Sequence, residues 1–158
     1  MEKPAPLPHL ALQCSLPAAL EAMGERWSFL ILRAAFNGLQ HFQEMQASLG
    51  IARNILANRL ARLVAAGILE RQACPGDRRK VEYRLTDKGA ALLPTMIALR
   101  QWGERWETGC PSNPVLVDTR DGAPVRPIRV YAHDGRPLEW EDLCFRDRAE
   151  LAGAVGAK

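Results

Sequence analysis

The chain has 158 residues, 47% hydrophobic and 25% charged, with 21 Lys/Arg against 18 Asp/Glu for a formal charge of +3. Such a composition supports a core of ordinary size, in one domain with an appendage, and no apolar run reaches the ~18 residues of a membrane span. Cys14, Cys74, Cys110 and Cys144 lie far apart, with no CxxC pair and no His at finger spacing, so neither a zinc site nor a disulfide framework is expected.

The charge is unevenly spread. Residues 51–88 hold nine Lys/Arg (Arg53, Arg59, Arg62, Arg71, Arg78, Arg79, Lys80, Arg84, Lys88) against four acids (Glu70, Asp77, Glu82, Asp87), while both flanks are slightly acidic. A local basic patch inside a nearly neutral chain is the electrostatic footprint of a nucleic-acid surface.

Residues 1–13 contain Pro4, Pro6 and Pro8, which exclude a regular helix and predict an extended lead-in. One Lys and no continuous apolar segment before a small-residue cleavage site predict no signal peptide. Reduced thiols and a cytoplasmic location follow as expectations. Leu16 to Met23 reads as a first helix, with Ser15 as N-cap, Pro17 in the first turn and Gly24 at its end. A second helix, Trp27 to Phe36, is apolar on most sides, and Asn37-Gly38 turns the chain.

His41 to Leu49 forms the third predicted helix, with Phe42, Met45 and Leu49 on one face. Gly50 breaks it and Ile51 plugs inward. The fourth helix, Ala52 to Ala66, is the most informative. At 100° per residue Leu56, Leu60 and Leu63 make a narrow core-facing stripe. Asn54, Asn58 and Arg62 line the opposite side, with Arg53 in the first turn and Arg59 flanking. A polar face of Asn and Arg without a single acid is unusual for a solvated helix. Two strands follow, from Ile68 and over Val81 to Leu85, around the loop CPGDRRK, which carries Arg78, Arg79 and Lys80 at its tip.

Thr86 should cap a long helix to about Glu107, bent near Pro94. Its apolar positions Leu92, Met96, Leu99, Trp102 and Trp106 form one stripe, suited to packing against a second copy rather than lining a ligand box. From Gly109 the composition shifts towards Pro, Asp and Gly. Val115–Val117 and Ile128–Tyr131 read as short strands, and a short helix is expected after Glu139. The predicted organisation is thus 1–13 lead-in, 14–108 DNA-binding and dimerisation domain, and 109–158 extension with short strands.

The fold class is therefore mainly α with a small β-hairpin wing, a winged helix-turn-helix, followed by a small β-rich extension. A helix fits the major groove, ~12 Å wide, and reads it where its outward side chains hydrogen-bond base edges. Asn pairs with adenine and Arg with guanine, each contact discriminating by roughly 1–3 kcal/mol. Arg53, Asn54, Asn58, Arg59, Arg62, Arg78, Arg79 and Lys80 are the candidate DNA contacts. The wing cations suit phosphates, adding affinity rather than specificity. Arg59 has two readings, a packed stem or a phosphate contact. The α-helix start near His41 is a further phosphate position.

Several motifs then stand in order: Cys14-Ser15, Gly24-Glu25-Arg26-Trp27, Phe42-Gln43-Glu44-Met45, Leu56-Ala57-Asn58-Arg59-Leu60, Gly67-Ile68-Leu69-Glu70-Arg71 and Tyr83-Arg84-Leu85-Thr86-Asp87-Lys88-Gly89. On these the chain resembles the HxlR-type transcriptional regulators, relatives of the MarR group, over about residues 14–107. The resemblance implies a homodimer joined through its first and last helices, a pseudo-palindromic operator and, more often than activation, repression. It also implies a sensor role for Cys14 towards oxidants, quinones or aldehydes; the plain alternative is a small buried thiol. A helix start behind Cys14 favours its thiolate. Cys74, beside the wing turn, looks the most exposed thiol and is a second candidate. Two departures stand out: Ser15 replaces the usual Pro, and the last ~50 residues exceed the usual family length.

No cofactor and no membrane partner are expected; the partners are double-stranded DNA, a second copy, and a small electrophile or oxidant. A winged helix that binds a protein instead of DNA is the alternative. An enzyme built on Asp118, Asp121, His133, Asp134 and Glu139 lacks any catalytic spacing.

Overall fold

The computed structural model describes residues 14–74 and 77–146, and for residues 77–79 the backbone alone. Four helices come first: α1 (Leu16–Met23), α2 (Arg26–Phe36), α3 (Phe42–Leu49) and α4 (Arg53–Ala65). An antiparallel hairpin follows, β1 (Leu69–Cys74) and β2 (Asp77–Leu85), then a single-turn α5 (Asp87–Ala90) and α6 (Leu93–Gly103), which runs into a π turn over Glu104–Thr108. A second, minimal hairpin pairs β3 (Val130–Tyr131) with β4 (Pro137–Leu138), ahead of a short 3-10 turn at Trp140–Asp142. Contacts divide the chain into residues 16–128 and a second unit containing residues 129–146.

The core of the larger unit is drawn from every early element. Ile31 and Leu32 of α2, Met45 of α3, Leu56, Leu60 and Leu63 of α4, and Ile68 and Leu69 at the hairpin entry are almost wholly buried. The α4 leucines recur at four and three residues, so one stripe of the helix is removed from water; each side chain so buried contributes roughly 1.5–3 kcal/mol. Gly50 holds φ +60° and caps α3 in the left-handed region, which a side chain would strain. Ile51, right behind it, is buried and pins the turn between α3 and α4.

The hairpin register joins Leu69 to Leu85, Arg71 to Tyr83 and Ala73 to Val81, then jumps to Cys74 opposite Asp77. Arg78, Arg79 and Lys80 fall between those two pairs, in the backbone of β2. They were expected at the loop tip; the strands instead extend to Cys74 and Asp77, and the connecting Pro75 and Gly76 lie outside the described residues. The whole wing is tied back to the helices: the Tyr83 amide donates to the Gln40 carbonyl at 2.8 Å, and His41 forms a bridge with Glu82.

The single long helix expected from Thr86 is two helices. Thr86 does cap α5, its hydroxyl accepting from the Gly89 amide at 3.0 Å. Pro94 has no N–H to return to Ala90, so the α-helical ladder stops and restarts with Pro94 in the first turn of α6. The strand expected at Val115–Val117 reduces to one bridge between Val117 and Pro124 around a turn closed by Asp118 and Ala123. Pro114 and Pro124 leave too few amides there for a ladder. Of the Ile128–Tyr131 strand only Val130–Tyr131 pairs.

Residues 109–128 hydrogen-bond back along α6. Arg100 donates to the Pro114 carbonyl, Gln101 donates to Arg126 O at 3.2 Å and accepts from the Ile128 amide at 2.8 Å, and the Ser112 amide donates to Glu104 at 3.1 Å. These bonds make that segment part of the larger unit.

Candidate nucleic-acid interface

The α3–turn–α4 pair places the outward face of α4 in solvent. Arg53, Asn54, Asn58 and Arg62 are exposed, and Ala57, Ala61 and Ala65 lie exposed among them. Small residues between the polar ones let another surface approach the helix backbone. No acid occurs anywhere on α4, so the face attracts phosphate along its full length. The Arg53 guanidinium stands 5.2 Å over the Phe42 ring, a cation–π contact that positions the first turn of α4 against the start of α3.

Arg59 behaves differently from its neighbours. Its side chain is only 17% exposed and pairs with Glu25, the residue that opens α2, while its Nε is buried without a partner. Arg59 is thus packed and ion-paired in this structure. Glu25 is the residue that sequence reasoning missed; nothing local to it signals a partner 34 positions away.

Lys80 is exposed on β2; the side chains of Arg78 and Arg79 lie outside the described residues. At the start of α3 the Glu44 carboxylate accepts from the His41 amide at 3.3 Å. A carboxylate already occupies that position, which disfavours the phosphate expected there. Lys88 donates to the Ala66 carbonyl at 2.7 Å, and Thr86 to the Gly67 carbonyl at 2.7 Å. Both bonds close carbonyls at the end of α4 and so hold the helix against the exit of the wing.

Where the wing strands meet the residue before α3, His41, Cys74 and Glu82 come together, each half-buried. The Arg84 guanidinium first, and the Cys74 thiol second, hold the Glu82 carboxyl below the usual carboxylate range. Cys14, Cys110 and Cys144 are exposed, and Cys74 is the most protected of the four. That reverses the sequence expectation, because strand extension draws Cys74 out of the loop and under its neighbours.

The apolar stripe of the last helix also divides. Leu92 and Met96 pack on the core, while Leu99, Trp102 and Trp106 are 50%, 52% and 63% exposed. Trp102 and Trp106 line an open groove with Val125, Pro127 and Ile128.

The profile of the HxlR-like helix-turn-helix family matches residues 22–109, which span the helix-turn-helix and the wing. The chain belongs to that family. It is 42% identical over 92 residues to the uncharacterized HTH-type transcriptional regulator Mb3122 of Mycobacterium bovis, covering 58% of each chain. To the HTH-type transcriptional regulator YodB of Bacillus subtilis it is 33% identical over 92 residues, 58% of this chain and 82% of YodB. The chain thus spans 58% of the length of that mycobacterial relative.

Among solved structures, PA1607, a candidate transcription factor, superposes with a TM-score of 0.79 at 44% identity, over 87% of this chain and 97% of that one. That reach exceeds the family profile, so the likeness extends into the region after residue 109. The redox regulator HypR in its reduced form gives a TM-score of 0.54 at 28% identity, over 58% of this chain and 92% of its own. These relatives are named as regulators or transcription factors, none as an enzyme. No described helix is long and apolar enough to cross a membrane.

Proposed function

We propose that this HxlR-family chain is a homodimeric DNA-binding transcriptional repressor of the cytoplasm that responds to thiol-reactive signals. Within each copy, α4 enters a major groove and reads bases with Asn54, Asn58 and Arg62, Arg53 supports it from the first turn, and Arg78, Arg79 and Lys80 of the wing clamp phosphate. Two copies place their α4 helices about one helical turn apart on a pseudo-palindrome. The observation that carries this reading is the acid-free, alanine-spaced outer face of α4, exposed beside the wing.

Dimerisation is supported by the exposed Leu99, Trp102 and Trp106, apolar area that a monomer would leave in water. Cys14, exposed two residues ahead of α1, is the proposed sensor: an electrophile such as a quinone adds to its thiolate and alters how the two reading heads are spaced. The likeness to the redox regulator HypR supports that part. Fluorescence anisotropy on duplexes from the DNA flanking the gene tests the whole. Binding should weaken steeply with salt, Asn58→Ala should lose sequence preference while keeping non-specific affinity, and Cys14→Ser should abolish release by a quinone. Salt-independent binding, or an Asn58→Ala variant with intact preference, overturns the DNA reading; quinone release by Cys14→Ser overturns the sensor.

A further inference from the structure

His41, Cys74 and Glu82 bring an imidazole, a thiol and a carboxylate to one place, and one ligand atom from each lies within 4.8 Å of the other two. They come from three separate elements: the residue before α3, the end of β1 and the middle of β2. We propose that these three side chains bind a divalent cation of the zinc class where the wing strands meet the residue before α3.

The donor set decides the class of ion. Thiolate and imidazole together favour Zn²⁺ over Mg²⁺ or Ca²⁺, which take oxygen. A tetrahedral zinc ion with bonds of about 2.0–2.3 Å holds its ligands roughly 3.5 Å apart, the separation already found between the Cys74 sulfur and Glu82 Oε1. Binding would release the thiol proton of Cys74 to solvent, leaving thiolate and carboxylate to balance the charge of the ion.

The surroundings are those that orient metal ligands. Arg84 Nε holds Glu82 Oε2 at 2.8 Å, while Oε1 faces the Cys74 sulfur at 3.5 Å. One carboxylate oxygen is thus anchored from outside and the other is directed at the cluster. His41 Nδ1 stands 3.2 Å from the Val81 carbonyl, which fixes the ring plane and, in the tautomer that donates there, leaves Nε2 with its lone pair. Three protein donors leave a fourth position for water, the arrangement of an exchangeable rather than a purely structural ion.

Its place in the fold gives the ion a job. His41 bridges Glu82, and Tyr83 bonds Gln40, at the seam between the helix-turn-helix and the wing. A cation there would join the entrance of α3 to both wing strands and fix the angle between reading helix and phosphate clamp. This last step rests on the DNA reading above; the binding of the ion does not.

Cobalt(II) substitution tests the site directly. The full chain, stripped with a chelator and titrated with Co²⁺, should take up one ion with a thiolate-to-cobalt charge-transfer band and tetrahedral d–d bands, both displaced by Zn²⁺. Cys74→Ser should abolish the charge-transfer band, and His41→Gln or Glu82→Gln should weaken binding by about tenfold or more. A chain lacking the other three thiols (Cys14→Ser, Cys110→Ser, Cys144→Ser) should keep it. Circular dichroism verifies that each variant is folded, with Cys74→Ala as the alternative where Cys74→Ser is not. No charge-transfer band in the parent chain, a band that survives loss of Cys74, or full affinity in His41→Gln and Glu82→Gln overturns the proposal. In the DNA arm, Zn²⁺ should change operator affinity; an unchanged affinity with Co²⁺ still bound overturns the coupling alone, whereas failure of both forms to bind DNA strikes the DNA reading instead.

Discussion

Gly89 lies against Ile68 so closely that a Cβ built on it would stand 2.2 Å from the Ile68 carbonyl oxygen. The contact belongs to a small lock: Thr86 donates to the Gly67 carbonyl, Lys88 to the Ala66 carbonyl, and Gly89 returns its amide to Thr86. It fastens the end of α4, the proposed reading helix, to the exit of the wing. Gly89→Ala must displace backbone, not a flexible side-chain end, and is expected to destabilise the chain by about 1–3 kcal/mol. Urea unfolding measures it; a midpoint equal to the parent's would show that the seam gives way freely.

Arg59 and Arg62 sit three residues apart on α4 but should respond oppositely. Arg62 is exposed on the open face, and Arg62→Ala is expected to cost about 1–3 kcal/mol in operator affinity. Arg59 is turned onto Glu25, so Arg59→Met should leave base preference as it is. Its effect on stability should stay within about 1 kcal/mol, because Glu25 is largely solvated. Paired anisotropy and unfolding measurements separate the two, and equal losses of DNA affinity would refute the division.

Leu92 and Met96 serve the core, whereas Trp102 and Trp106 are more than half exposed. The double substitution Trp102→Ala, Trp106→Ala should therefore convert a dimer to a monomer at micromolar concentration without unfolding it. Sedimentation equilibrium reads the mass and circular dichroism the fold. A dimer that persists would place the interface elsewhere.

Glu104, paired with Arg100 of α6, holds the start of residues 109–128 by accepting from the Ser112 amide. The Ser112 hydrogen bonds, ahead of Arg100, lower its carboxyl from the usual value. A group whose folded pKa is depressed stabilises above its unfolded pKa, and that contribution fades as pH falls through the folded one. Amide exchange at Ser112, corrected for the intrinsic pH dependence, should therefore show loss of protection below the ordinary glutamate range. Glu104→Gln should remove the pH response.

The early helices and their core were legible because the signals are local. Leu56, Leu60 and Leu63 at helical spacing name their own buried face, and Gly50, Ile51 and Thr86 act through neighbours a few residues away. The Asn54–Asn58–Arg62 row follows from the same periodicity, since fixing one face of a helix fixes its opposite.

Less was legible past Thr86. Pro94 announced a bend, yet whether a ladder bends or stops depends on what the preceding turn can pack against. The stripe from Leu92 to Trp106 has one period but two fates, because the core of residues 16–128 ends partway along α6 and covers only Leu92 and Met96.

Sequence by itself determined the first four helices, the basic hairpin, the outward face of α4 and the motifs that mark an HxlR-type chain, all of them patterns over short stretches of backbone. Only the tertiary structure decided that Arg59 turns to Glu25, that Cys74 is sheltered, and that His41, Cys74 and Glu82 meet. Zinc-finger spacing rules find ligands that are close along the chain. Here the donors are brought together by strand pairing and by the return of the wing onto the start of α3, a closure of long loops that no local period records.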